Sequence, residues 1–350
     1  MAKFKIITAA GAAVASVGGG YAYEMEALEG MDVEIVEGPV GNDDAFIAAA
    51  RDADAIYAKG GMLITRKIID NLARCRVISL GSVGVDQVDV AAATAHGIPV
   101  TNCPDTFIAE VADHAMTLLL AAHRRVIEQD RMVREGRWKE GRPALLKIPR
   151  LMGLTLGFIA FGHVPRAVAV RAKAFGLRLL AYDPYIEEMV MHEYGVLPAT
   201  LSEVLQQSDF VSMHAPATPE ARGMLKEKHF AQMKKGAIFI NTGRGPTVDE
   251  AALIKALQEG WIAHAALDVL EQEPPKPDNP LLSMGNVTLS PHNASATGRF
   301  DPARKRRVGQ ELALALTGKW PMSCVNPVVL AKKPELERWQ PVSMERGPNS

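Results

Sequence analysis

The sequence predicts an α/β protein with two parallel sheets. Short apolar segments alternate with helix-like segments along most of its 350 residues, and such alternation is typical of parallel sheets that are covered by helices on both faces. A long helical stretch over 108–126 separates two alternating regions. The length also corresponds to about two domains of ordinary size.

The first alternating region begins with a strand predicted at 4–8. A run of small and apolar residues over 6–17 superficially resembles a signal peptide, but its alanines and glycines favour the strand. Further strands are predicted at 55–58, 77–80 and 100–101, and helices at 65–73 and 90–95.

The second alternating region begins after a charged segment, 128–150, that contains Trp138. Its strands are predicted at 155–159, 178–182, 210–213, 237–241, 265–267 and 287–289, with helices at 164–175, 249–259 and 302–316. The tail, 331–350, has little apolar pattern, and we expect a surface arm or a disordered segment there.

The composition excludes several classes of function. Lys and Arg number 39 against 40 Asp and Glu, so the net charge of −1 gives no support to binding of nucleic acid or of an anionic membrane. The three cysteines, Cys75, Cys103 and Cys324, are far apart, which disfavours a disulfide framework or a zinc site and favours the cytoplasm. We expect no metal site and no transmembrane helix.

A candidate nucleotide-binding turn follows the strand at 155–159 and leads into a helix. It reads Ala160-Phe161-Gly162-His163-Val164-Pro165, so only the middle glycine of G-x-G-x-x-G remains. That glycine lets the backbone approach a pyrophosphate, to which the helix N-terminus offers N–H groups. Pro165 lies in the first helical turn, where its missing N–H is tolerated. We expect Gly162, His163 and Val164 to contact the cofactor.

An acidic residue supports this interpretation. Asp183 ends the next predicted strand, 21 positions after Gly162, close to the spacing of about 20 that is expected for a ribose-binding acid. A carboxylate there hydrogen-bonds the 2′-hydroxyl and repels a 2′-phosphate, which favours NAD over NADP. The alternative is an ordinary turn that Asp183 forms with Pro184.

Polar segments follow three later strands, at the edge of the sheet where ligands bind in α/β proteins. They are Asn241–Gly245, Asp268–Pro274 and Ser290–Ala294. Together with other motifs in this order, they resemble the D-isomer-specific 2-hydroxyacid dehydrogenase family, which includes phosphoglycerate, glyoxylate/hydroxypyruvate and D-lactate dehydrogenases. The resemblance covers most of 50–327, and its other motifs lie at 80–86, 102–104, 110–114, 182–184, 214–218 and 325–327.

The resemblance implies a catalytic set of three residues. His292 is expected to be the general acid and base, Glu273 to pair with it and raise its pKa, and Arg244 to bind the substrate. The acid of the family directly precedes a proline, which selects Glu273 rather than Glu271. The backbone N–H groups of Ser82, Val83 and Gly84 are expected to bind the substrate carboxylate.

Further cofactor contacts are implied in the same way. Asp268 is expected near the nicotinamide carboxamide. His214 and Pro216 are expected along the cofactor, and Thr242 and Gly243 beside its nicotinamide end. The implied cofactor is NAD, and the implied substrate is a small-molecule 2-hydroxyacid or 2-ketoacid, either a small acid or one similar to a sugar acid.

The resemblance also implies an architecture of two Rossmann-like domains. A discontinuous substrate-binding domain would comprise 1–105 and 305–330, and the NAD-binding domain 106–304, with 331–350 as a tail. Hinge helices near 108–126 and 302–316 would link the domains. The segment 128–150 resembles the dimerisation arm of the family, so a homodimer is expected.

Alternatives to a 2-hydroxyacid dehydrogenase stay open in the sequence. One is an NAD(H)-sensing binding protein of the same fold, similar to corepressors. Another is oxidation of formate or phosphite, although formate enzymes of the family carry an amide where this chain has Glu273. Among the hydroxyacids, phosphoglycerate is disfavoured because Gly60 and Gly61 carry no charge, which leaves only Lys59 to bind a phosphate.

Overall fold

The computed structural model describes residues 4–10, 20–59 and 62–337. Contacts between residues divide the chain into two compact units, the first comprising 1–106 and 297–350 and the second comprising 107–296. The second crossing between the units therefore precedes the helix expected at 302–316, whereas the sequence placed it within that helix. The predictions for Gly60, Gly61, 11–17 and most of the tail fall outside the described residues.

The described part of the first unit contains a five-stranded parallel sheet in the order β2-β1-β3-β4-β5. Its strands are β1 (Phe4–Ala9), β2 (Val33–Gly38), β3 (Ala55–Ala58), β4 (Val77–Leu80) and β5 (Val100–Thr101). Its helices are α1 (Ala22–Glu26), α2 (Asp43–Ala50), α3 (Arg66–Ile69), α4 (Val90–Ala95), α13 (Phe300–Leu316) and α14 (Val328–Ala331). Strands β3 and β4 are buried along their whole length, as expected for central strands that are covered on both faces.

The second unit contains a seven-stranded parallel sheet in the order β12-β11-β10-β9-β6-β7-β8. Its strands are β6 (Thr155–Ile159), β7 (Arg178–Tyr182), β8 (Leu197–Pro198), β9 (Phe210–Met213), β10 (Ile238–Asn241), β11 (His264–Leu267) and β12 (Val287–Leu289). Its helices are α5 (Ile108–Arg124), α6 (Val126–Arg134), α7 (Trp138–Leu145), α8 (His163–Ala174), α9 (Glu188–Glu193), α10 (Leu201–Gln207), α11 (Glu227–Phe230) and α12 (Glu250–Gln258).

Two apolar cores cover the two faces of this second sheet. Successive side chains of a strand point to opposite faces, so Phe158 packs in one core while its neighbour Ile159 packs in the other. Helices α5 and α8 contribute to the first core, and α10 and α12 to the second. The α/β class with two parallel sheets is therefore confirmed.

Several elements differ from the sequence prediction. The helix expected to reach 126 ends at Arg124, because Arg125 adopts a left-handed backbone with φ of 52° and the chain restarts as α6. The charged segment 128–150 is largely helical, in α6 and α7. The sequence analysis missed β2, whose sequence VEIVEG mixes two glutamates with apolar residues and lies at the edge of its sheet.

The described helices include none that is both long enough and apolar enough to cross a membrane.

Candidate active site

The centre of the site is a pair formed by His292 and Glu273. Glu273 follows β11 and His292 follows β12, and these strands are parallel neighbours whose carboxyl ends lie at the same edge of the sheet. Nδ1 of His292 lies 2.6 Å from Oε2 of Glu273. The second oxygen, Oε1, accepts a hydrogen bond of 2.9 Å from the Leu270 N–H, so the carboxylate is fixed from two sides.

Ionisation of the two side chains is coupled. The hydrogen bond to Glu273 raises the pKa of His292, while partial burial and nearby Arg244 oppose the rise. Burial raises the pKa of Glu273, but hydrogen bonds from His292 and the Leu270 N–H outweigh burial and leave that pKa below its usual range. The pair therefore favours an imidazolium beside a carboxylate. The His292 side chain is 49 % exposed, so its ring remains accessible to a small molecule.

His292 lies on a turn that is anchored to Asp268. Its backbone adopts φ of 49°, a left-handed conformation that is uncommon for a residue with a side chain. The His292 N–H donates to the Asp268 carbonyl oxygen at 2.8 Å. The Asp268 carboxylate accepts from the N–H groups of Asn293 and Ala294, each at 3.0 Å. These hydrogen bonds hold the backbone of His292, Asn293 and Ala294 in place and thereby compensate the energetic cost of the left-handed conformation.

Arg244 follows β10 and completes the set. It is near enough to His292 and Glu273 to lower the pKa of each, and its guanidinium also donates to the Gly243 carbonyl oxygen at 2.8 Å. Gly245 allows the backbone after Arg244 to pass close to Leu270, because a Cβ at this position would overlap the Leu270 carbonyl group. The structure thus brings Arg244, Glu273 and His292 together at the carboxyl ends of three neighbouring strands, β10 to β12.

The nucleotide turn has the form expected from the sequence. Gly162 precedes the first residue of α8, and a Cβ at Gly162 would meet no atom within 4 Å. A ligand can therefore approach this backbone closely. Ala160, which takes the place of the first glycine, adopts φ of 70°. Pro165 is buried in the first turn of α8.

Asp183 lies at the end of β7, next to this turn. Its Oδ2 accepts from the Phe161 N–H and its Oδ1 from the Tyr185 N–H, each at 2.8 Å. A carboxylate offers about four acceptor positions, so capacity remains for sugar hydroxyl groups.

The remaining predicted cofactor residues lie at the ends of β9 and β10. A Cβ added at Gly243 would lie 3.1 Å from the Cα atom of His214, so the chain segments after β9 and β10 pack closely. Burial lowers the pKa of His214 to about 3, so its ring is neutral, and the ring contacts the Ser212 hydroxyl at 2.8 Å. The Thr242 hydroxyl is buried and has no hydrogen-bond partner within the described part of the chain. Thr242 follows β10, so it lies at the same edge of the sheet as the open turn after β6 and Asp183 after β7. An orphaned polar atom at this edge fits a dinucleotide.

The predicted substrate loop belongs to the first unit. The Ser82 hydroxyl donates to the Gly84 carbonyl oxygen at 2.7 Å, and Asn102 Nδ2 donates to the Val83 carbonyl oxygen at 2.7 Å. With the carbonyl oxygens of Val83 and Gly84 engaged in this way, the loop has a defined conformation. Its binding of a carboxylate stays a prediction.

Sequence reasoning missed part of the support behind the site. His114 and Ser290 make a hydrogen-bonded contact next to Asp268, although the sequence analysis gave neither residue a role. The available signal was their place within the family motifs at 110–114 and 290–292. Across the described ranges, no group of three or more His, Cys, Asp and Glu side chains is arranged to hold a metal ion.

Comparison with known proteins decides the family. Residues 116–294 match the model of the D-isomer specific 2-hydroxyacid dehydrogenase NAD-binding domain. A glyoxylate reductase from Korarchaeum cryptofilum is 42% identical over 290 residues, which cover 83% of this chain and 87% of that protein. The chain belongs to the D-isomer-specific 2-hydroxyacid dehydrogenase family.

Other relatives of this D-2-hydroxyacid dehydrogenase support the same family assignment. A D-3-phosphoglycerate dehydrogenase from Methanocaldococcus jannaschii is 38% identical over 84% of this chain, but the match spans only 55% of that protein. The structure of a glyoxylate reductase from Paecilomyes thermophila superposes with a TM-score of 0.81 at 28% identity, over 93% of this chain and 99% of that one. An NADPH-dependent glyoxylate/hydroxypyruvate reductase from Sinorhizobium meliloti, in complex with NADP and malonate, gives 0.79 at 30% identity, over 97% and 100%. The cofactor is a nicotinamide dinucleotide.

Replacing Ala160 by glycine should stabilise the dehydrogenase. An L-residue in the left-handed region costs roughly 1–2 kcal/mol, of which the greater chain entropy of glycine offsets a part. We expect Ala160→Gly to raise the free energy of unfolding by about 0.5–1 kcal/mol, measured by urea denaturation. Ala251→Gly, at an exposed position within α12, is the control and should lower it by a similar amount. A loss of stability in Ala160→Gly would contradict the strain argument.

Replacing Glu273 by glutamine should lower the pKa of His292, because the amide cannot stabilise an imidazolium as a carboxylate does. An NMR titration of the His292 ring measures this pKa directly. The same pKa shifts make the stability of the fold depend on pH. The stabilising contribution of His292 is present at low pH and is lost as pH rises through its raised pKa. The contribution of Glu273 is lost as pH falls through its lowered pKa.

The matched control for this titration is Glu271→Gln. Glu271 lies two positions earlier and accepts a hydrogen bond from the Glu250 N–H at 3.3 Å. This control should leave the His292 titration in place. Equal pKa values for His292 in the wild type and in Glu273→Gln would show that the pair does not set the protonation of the ring.

Proposed function

We propose that this chain interconverts a D-2-hydroxyacid and its 2-ketoacid by hydride transfer, with His292 as the acid and base. The observation that carries the proposal is the contact of 2.6 Å between His292 and Glu273, next to Arg244. A protein that only binds a dinucleotide has no need of an acid–base pair and a substrate cation in one place.

In this proposal, the two ring nitrogens of His292 have different tasks. Nδ1–H donates to Glu273, which leaves Nε2–H for the substrate. The reduced nicotinamide supplies the hydride. In reduction, Nε2–H donates a proton to the carbonyl oxygen of the ketoacid, and in oxidation neutral Nε2 accepts the proton of the hydroxyl group. Glu273 stabilises the imidazolium in both directions.

Substrate binding in this proposal uses Arg244 and the loop of Ser82, Val83 and Gly84. A guanidinium presents several donors in one plane, which suits a carboxylate together with the keto oxygen beside it. The N–H groups of the loop are proposed as further donors to a substrate carboxylate. Both contacts orient the carbonyl group and increase its positive character at the carbon that receives the hydride.

The cofactor preferred in this proposal is NAD. The backbone from Gly162 through His163 to Val164 would bind the pyrophosphate at the N-terminus of α8. Asp183 would bind the ribose hydroxyl groups and disfavour the 2′-phosphate of NADP by charge repulsion. His214 and Pro216 would lie along the cofactor, Thr242 and Gly243 beside its nicotinamide end, and Asp268 near the nicotinamide carboxamide.

A small 2-ketoacid is the substrate that the charges favour. Lys59 Nζ donates to the Tyr21 hydroxyl at 2.9 Å and lies 3.7 Å from Oε1 of Glu37. Burial lowers the pKa of Lys59. Since Glu37 already offsets this charge, Lys59 is a poor ligand for a phosphate group. We therefore propose a substrate of the size of glyoxylate or hydroxypyruvate rather than phosphoglycerate.

A homodimer is proposed from the exposed apolar side chains of α6 and α7. Trp138 is 75 % exposed and Leu146 is 77 % exposed. Val126, Ile127 and Val133 add to the exposed apolar surface of the same segment. Several exposed apolar side chains in one segment favour a protein interface there. A cytoplasmic location is proposed with it, because all three cysteines are free thiols.

Oxidation of NADH at 340 nm with a panel of 2-ketoacids tests the reaction. We expect turnover with a small ketoacid, a preference for NADH over NADPH, and a decrease in kcat of about 10²–10⁴-fold in His292→Ala. The control, His96→Ala, removes an exposed histidine that pairs with Asp70 at the surface and should retain activity. Tight NADH binding without turnover of any ketoacid would instead favour the dinucleotide-sensing protein.

Light scattering of the purified protein tests the dimer. We expect the mass of two chains for the wild type and of one chain for Trp138→Glu combined with Leu146→Glu, because the new charges would have to be buried in the interface. Leu63→Glu, at an exposed leucine of the first unit, serves as the control and should leave the dimer intact. A wild-type protein with the mass of one chain would rule out the proposed arm.

A further inference from the structure

A hydrogen-bonded chain of three side chains lies next to the turn of His292, and the function proposed above gives two of them, His114 and Ser290, no role. It connects His114 on α5, Ser290 after β12 and Asp268 after β11. Nε2 of His114 lies 2.9 Å from the Ser290 hydroxyl oxygen, which lies 2.6 Å from Oδ1 of Asp268. Nε2 of His114 is also 3.6 Å from that same Asp268 oxygen.

The chemistry of the three groups fixes the direction of these bonds. The Asp268 side chain is almost fully buried, and both of its oxygens accept backbone N–H bonds, which stabilise a carboxylate. A carboxylate only accepts, so the single proton of the Ser290 hydroxyl is donated to Asp268. The Ser290 oxygen then accepts from His114, which must carry its proton on Nε2.

Asp268 connects this chain to the turn that carries His292. Oδ1, the oxygen that Ser290 contacts, also accepts from the Asn293 N–H, and Oδ2 accepts from the Ala294 N–H. Without Ser290, the carboxylate would lose its only side-chain donor among the described contacts and would be free to rotate away from these two amides. The left-handed backbone of His292 depends on this turn.

We propose that His114 is a positioning residue, which orients Ser290 through its Nε2–H and thereby holds Asp268 and the turn of His292 in place. The proposal deepens the proposed function and rests on it, because it concerns the placement of the acid and base. His114 itself touches neither Glu273 nor the reacting atoms in this scheme. Its effect reaches His292 through Ser290 and Asp268, by geometry.

The test compares two replacements of His114 that differ in a single property. Glutamine places an amide N–H close to the position of Nε2, whereas phenylalanine keeps the ring shape and has no donor. We expect His114→Phe to decrease kcat about tenfold, since small displacements of a catalytic group cost this much or more. His114→Gln should restore most of the loss.

An NMR titration of the His292 ring provides a measurement that does not need enzymatic activity. The charged groups that act on this ring are Glu273, Arg244 and Asp268. When the ring is less well held against Glu273, its pKa should fall in His114→Phe and stay at the wild-type value in His114→Gln. Thr117→Ala, one turn further along α5 at an exposed position, is the control and should leave the titration unchanged.

A double-mutant cycle tests the route through Ser290. Ser290→Ala should reproduce the effects of His114→Phe, and the double variant should behave like Ser290→Ala alone, because both changes break one chain. Additive effects would overturn the proposal. It would also be overturned if His114→Phe and His114→Gln titrated alike, whether both matched the wild type or both were impaired. Because the titration is measured without substrate, a failure to turn over any ketoacid would refute the proposed function separately.

Discussion

The contact between His292 Nδ1 and Glu273 Oε2 is the interaction on which the rest of the site depends. It fixes a proton on Nδ1 and favours the charged ring, and in the proposed reaction it leaves Nε2–H for the substrate. Neither side chain could reach the other without the parallel pairing of β11 and β12, which ends both strands at one edge. Hydrogen bonds from Leu270 to Glu273 and from His292 to Asp268 then remove the remaining freedom of the pair.

Backbone conformation is the second constraint. His292 and Ala160 both adopt left-handed conformations that residues with side chains rarely take. At His292 the surrounding hydrogen bonds compensate this cost and place a functional side chain. Ala160 stands where the pattern G-x-G-x-x-G has its first glycine, and it adopts a left-handed conformation of the kind that glycine adopts readily. The substitutions at Ala160 and Pro165 therefore leave the open backbone at Gly162 available to a dinucleotide.

Charge distribution is the basis for proposing a small ketoacid rather than a substrate that carries a phosphate. Lys59 is the basic residue that the sequence offers for a substrate phosphate, but Glu37 and the Tyr21 hydroxyl already engage it. Arg244, in contrast, lies among the groups that determine the ionisation of His292 and Glu273. In the proposed reaction, Arg244 is therefore the cation that would bind a carboxylate or keto oxygen, which every 2-ketoacid has.

The sequence by itself determined the α/β class and most of the strands, because apolar periodicity is a local signal. The proposed set of Arg244, Glu273 and His292 came from the resemblance to the family. The sequence did not determine β2, an edge strand in which two glutamates interrupt the apolar pattern. It also did not determine the end of α5 before Arg125, where a left-handed residue interrupts a continuous helical pattern. Nor could it show that His114 contacts Ser290, 176 positions later in the chain. Such a contact has no local signature, and only the packing of α5 against the sheet decides it.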